Sequence, residues 1–104
     1  MNIEELAHKT ARGLSKIYGA DLVEQTEKVL KAEQTRTLGE WFQISHFVVE
    51  CAGLAVGLIG LYKDRGTLTA ALSEAAPATP NLGPEQRDAI IQETVTNALT
   101  DKND

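Results

Sequence analysis

With 104 residues the chain has room for one domain and not for two ordinary ones. Hydrophobic residues make up 42% of it but aromatics only 5%, so the core must be built from Leu, Ile, Val and Ala, and the lack of strand-like alternation favours helices. The net charge of -5, with 15 acidic against 10 scattered basic residues, excludes the concentrated positive field that phosphate binding needs, and nucleic acid is not an expected partner.

In chain order, Ile3, Leu6, Ala7, Thr10, Leu14, Ile17 and Tyr18 recur at three- and four-residue steps and predict a first helix over about 3–18. Asn2 stands where an N-cap belongs, with Glu5 at the reciprocal position of a capping box, and Gly19 marks the end. Asp21 and Glu24 repeat the capping pattern ahead of Leu22, Val23, Thr26, Val29 and Leu30, predicting a second helix over about 22–38 with a break near Gly39. Lys9, Arg12 and Lys16 share one face of the first helix, as Lys28 and Lys31 do on the second, but interleaved acids make both faces ordinary solvated surface.

The third element, over about 40–63, is the central one. From Phe42 to Tyr62 its ionisable side chains, apart from that tyrosine, are His46, Glu50 and Cys51. On a helical wheel Gly39, Gln43, His46, Glu50, Gly53, Gly57, Gly60 and Asp64 fall on one narrow strip, and the remaining arc is apolar except for Ser45. A helix apolar over so wide an arc must be enclosed by protein or by lipid.

Gly66 is expected to stop the third element and Thr67 to cap a short helix over about 68–76. All three prolines, Pro77, Pro80 and Pro84, lie in a loop over 77–84. Pro84 then opens a last helix over about 84–100, with Ile90, Ile91, Thr94, Val95, Ala98 and Leu99 as its buried stripe and a frayed tail over 101–104.

A membrane span over about 42–62 has the required length, Trp41 and Tyr62 near its ends and Gly53 and Gly57 at small-xxx-small spacing. The insertion energetics are close to balanced, because nine Leu, Ile, Val and Phe residues at roughly -0.3 to -0.6 kcal/mol each oppose a central carboxylate at about 3 kcal/mol. Flanking charge sets no orientation, and the other helices carry stripes that a bundle around the third would bury at once. The expectation is therefore an all-α bundle of four to five helices around a central apolar helix, with the single-span protein as the alternative.

Chemistry-bearing residues are few. His46 and Glu50, four apart, can meet as a proton-relay pair, as part of a metal site or as a simple polar contact, and the last is the expected role. Cys51 is the only cysteine, which rules out an internal disulfide and, with only His8 and His46 to add, a four-ligand Cys/His zinc site. Among apolar neighbours it reads as an inert core thiol. The glycines lack the spacing and the following Lys-Ser or Lys-Thr of a phosphate loop, and no serine sits in a nucleophile elbow. No cofactor, metal or catalysis is expected.

What remains is contact between proteins. Gly53, Gly57 and Gly60 offer a seat for another backbone, from the same chain or a second subunit, with Trp41, His46 and Glu50 as further candidate interface residues. The expected protein is an interaction module of the adaptor, regulator or inhibitor type, self-associating as a homo-oligomer. The stretch Met1-Asn2-Ile3-Glu4-Glu5 lacks the basic and apolar regions of a secretory signal, so cytoplasmic residence is expected, or a membrane in the alternative.

Overall fold

The computed structural model describes residues 2–31, 40–77 and 82–103, the side chains of 40–43 and 101–103 excepted. Its elements are five helices: α1 (Ile3–Tyr18), α2 (Asp21–Leu30), α3 (Glu40–Leu58), α4 (Arg65–Ala75) and α5 (Pro84–Asn103).

Helix α1 begins where Asn2 Oδ1 accepts from the Glu5 N–H at 2.8 Å. It ends at Gly19, whose φ of 101° is a conformation side-chain-bearing residues rarely adopt. Only Gly19 and Ala20 separate α1 from α2, and this short link changes how α2 starts. The carbonyls of Gly19 and Ala20 accept from the N–H groups of Leu22 and Val23, both at 3.2 Å, so backbone closes the first turn. Asp21, expected as the cap, is instead the first helical residue; the cap position belongs to Ala20 and has no side-chain hydrogen bond.

Helix α2 also ends earlier than its periodicity suggested, with Lys31 at the C-cap. From residue 32 on, the remainder of the expected 22–38 span lies outside the described residues. The expected break near Gly39 lies outside the described residues.

Helix α3 stops at Leu58, short of the expected 63. The N–H groups of Leu61 and Tyr62 both donate to the Leu58 carbonyl at 2.9 Å, a turn rather than a continuing helix. Gly57 and Gly60 flank this release, and glycine is the weakest helix former after proline. Gly60 and Asp64 therefore lie beyond the helix whose strip they were expected to extend. Asp64 starts α4 instead: its Oδ2 accepts from the Thr67 N–H at 3.0 Å and from the Thr67 hydroxyl at 3.2 Å. Thr67, the expected cap, is the donor to the real one, and Gly66, the expected stop, lies in the first turn of α4.

Two polar links position α5. Gln86 Oε1 accepts from the Gly83 N–H at 3.1 Å, closing the helix entrance from the third residue inward. Arg87 reaches back to α4, donating to the carbonyls of Ser73 (3.0 Å), Ala76 (3.2 Å) and Pro77 (2.7 Å) while its guanidinium lies 5.1 Å from the centroid of the Phe47 ring. One side chain thus satisfies the open carbonyl end of α4 and covers the core aromatic beneath it.

Helix α3 is the hub, packing against all four of the others. Its buried arc of Ile44, Phe47, Val48, Cys51, Ala52 and Ala55 joins Leu6, Ala7, Ala11 and Leu14 of α1, Leu22 of α2, Leu68 and Leu72 of α4, and Ile90, Ile91, Val95 and Ala98 of α5 in one cluster. Helices α1 and α5 approach closely at Gly13, where a Cβ would run into the Glu93 carboxyl. The radius of gyration of 12.7 Å is that of a compact chain of this length, for which about 13 Å is expected. The protein is an all-helical bundle built around a central apolar helix.

Candidate functional site

Seven of the described side chains of α3 are buried, Ser45 beside the six apolar ones, and they fix the direction in which its opposite face must point. His46 and Glu50 stand in solvent on that face, with side chains 51% and 44% exposed, and His46 Nε2 lies 3.8 Å from Glu50 Oε1. The pair expected from the i, i+4 spacing is therefore brought together, but on an open surface where bulk water competes for both groups. The seats that the wheel assigned to glycine lie further along the same face.

The three glycines differ. A Cβ on Gly53 would sit 3.9 Å from Ile3 Cδ1, an ordinary contact, so the start of α1 already lies against this position. A Cβ on Gly57 would meet nothing within 4 Å, and one on Gly60 only the Gly57 carbonyl at 4.0 Å. No neighbouring helix of the described chain occupies the seat at Gly57. The chain exposes Leu61 (75%) and Tyr62 (36%) in the turn that follows α3 and Ile3 (42%) against Gly53, all large and partly or wholly apolar. Trp41 belongs to α3, but its side chain lies outside the described residues.

Cys51 lies on the other side of α3, fully buried. Burial pushes its thiol up to about 12, with the nearby Arg87 guanidinium lowering it and Glu50 raising it by smaller amounts. Enclosure of this kind disfavours the thiolate at neutral pH. Among the described residues no group of three His, Cys, Asp and Glu side chains is placed to hold a metal ion. His8 pairs across the α1–α2 interface, its Nε2 3.3 Å from Glu27 Oε1. Beside it, Glu4, Glu5, Lys9 and Arg12 line a shallow groove that mixes both signs of charge.

Two contributors escaped the sequence. Ile3 reads as one residue of a core stripe, yet it is exposed over the Gly53 position. Arg87 has no local signal at all, because the carbonyls that it caps are ten to fourteen residues upstream and come to it only when α4 folds back on α5.

No protein-family model, curated protein or solved structure matches the chain. The surface must be interpreted from its own geometry.

Proposed function

We propose that the protein is a non-catalytic helical interaction module of the adaptor, regulator or inhibitor type, acting in the cytoplasm and pairing with a second copy of itself across the glycine face of α3. The observation that carries this reading is the bare backbone at Gly57, on a helix followed by the exposed Leu61 and Tyr62 and flanked at Gly53 by the exposed Ile3. A glycine inside a helix costs about 1 kcal/mol relative to alanine. No partner within the described chain offsets that cost at Gly57, and close approach of another backbone would. These exposed apolar side chains would supply the hydrophobic content of such a contact.

The non-catalytic part of the reading is supported by the solvent-facing His46–Glu50 pair and the un-ionised, enclosed Cys51 thiol. The single-span alternative gains no support, since no helix among the described residues is long and apolar enough to cross a membrane.

Sedimentation of the full chain from low to high micromolar concentration tests the proposal. A concentration-dependent dimer is expected, and Gly57→Leu should abolish it without unfolding the chain, because the added side chain enters open space. A monomer at every concentration would refute self-association, and a dimer indifferent to Gly57→Leu would move the interface elsewhere.

A further inference from the structure

We infer that α3 carries half of a divalent-cation site, His46 and Glu50, which a second copy of the chain completes with its own His46 and Glu50. The inference rests on the self-pairing proposed above. His46 Nε2 and Glu50 Oε1 lie 3.8 Å apart on side chains that are 51% and 44% exposed. Zinc holds an imidazole nitrogen at about 2.0–2.1 Å and a carboxylate oxygen at about 2.0–2.2 Å, so a tetrahedral ion needs the two atoms about 3.4 Å apart. A small rotation of two solvent-facing side chains supplies the difference. A spacing of four residues is the one at which successive helical turns present two ligands to one ion.

Two ligands alone make a poor site, and among the described residues no third His, Cys, Asp or Glu joins them. A second copy supplies two more, and the glycine face says how it would lie. On α3 the residues His46, Glu50, Gly53 and Gly57 fall within an arc of about 60°. Two α3 helices running in the same direction about a two-fold axis set each residue opposite its own counterpart. Gly57, where a Cβ would meet nothing within 4 Å, then admits the close approach. Glu50 stands two turns along the helix from it, about 10 Å.

Charge argues for an ion between the pairs. Each copy carries a net charge of -5. The two Glu50 carboxylates would face each other across the axis, where like charges repel. One divalent cation offsets both carboxylates, and two neutral imidazoles complete its four ligands. Four protein ligands leave no open position, so the site is structural, in keeping with a non-catalytic protein.

Sedimentation of the full chain in EDTA and in zinc chloride at one ion per two chains tests this. Zinc should lower the dimer dissociation constant by about tenfold or more, and a calorimetric titration should saturate at one ion per two chains. His46→Ala and Glu50→Gln, both at exposed positions, should each remove the difference between the two conditions. His8→Ala, which breaks the His8–Glu27 pair instead, should keep it. A chain that dimerises equally in EDTA and in zinc overturns the metal site and leaves the self-pairing standing, whereas a chain monomeric in both overturns the two together. A zinc effect that survives His46→Ala, or is lost in His8→Ala, places the ion elsewhere and also overturns the inference.

Discussion

Buried polar groups decide the behaviour of single residues here. Thr26 encloses a hydroxyl with nothing to bond to, and valine matches threonine in shape and approximately in helix propensity. Thr26→Val should therefore raise stability by about 1 kcal/mol, read from denaturant unfolding, because it removes a desolvation cost and no bond. A destabilised variant would mean that the hydroxyl has a partner in solution. Cys51 illustrates the opposite use of burial, an apolar position filled by a thiol whose ionisation is pushed up to about 12. At pH 7–8 an alkylating reagent should modify it only as fast as the chain unfolds, and reaction at the rate of a free thiol would show the α3 core to be open.

At the scale of elements, the ends of helices test how far local sequence governs the fold. Asn2 and Gly19 were legible because each sits where a single helix boundary can fall. At the amino end of α4 two caps compete three residues apart, Asp64 and Thr67, and the winner depends on where α3 lets go; Gly57 and Gly60 release it early enough for Asp64. Asp21 lost its capping role for a similar reason, since a two-residue link forces α2 to start on the backbone of Gly19 and Ala20. The periodicity of α3 showed that His46, Glu50, Gly53 and Gly57 share a face. It could not show that Ile3 covers one glycine and leaves the next bare, because that depends on how the start of α1, about fifty residues upstream, packs.

The Asp64 cap also carries a pH dependence with a definite sign. Hydrogen bonds from the Thr67 backbone and then its hydroxyl hold the carboxyl below its ordinary value of 3.8. A carboxylate whose folded value lies below its unfolded one stabilises the fold above the unfolded value. That contribution is lost as pH falls through the folded value. Asp64→Asn keeps a capping oxygen without the charge. In thermal melts the native chain should outlast this variant at pH 7, and the gap should narrow as pH falls below the ordinary carboxylate value. An unchanged gap at low pH would show that the Asp64 charge does not contribute to the cap.

For the whole molecule, the arrangement around α3 predicts how the bundle fails. Phe47 is buried at the middle of the one helix that meets the other four, and its ring supports the Arg87 guanidinium that closes α4. Truncating a buried phenylalanine to alanine costs about 3–5 kcal/mol, a large part of the roughly 5–15 kcal/mol that holds a typical domain together. The loss falls on a shared contact, so it lowers the stability of α1, α3, α4 and α5 together and removes the platform beneath the α4 clamp. Arg87→Ala removes the clamp alone, and it should cost less and loosen α4 selectively. Lysine at that position keeps the charge but loses the planar fork that reaches three carbonyls, so Arg87→Lys should fall between Arg87→Ala and the native chain. Denaturant unfolding followed by far-ultraviolet circular dichroism, with hydrogen exchange resolved by helix, separates these outcomes. A Phe47→Ala chain that keeps α1 and α5 at native protection while α3 exchanges freely would show that the cohesion of the bundle does not pass through its central helix.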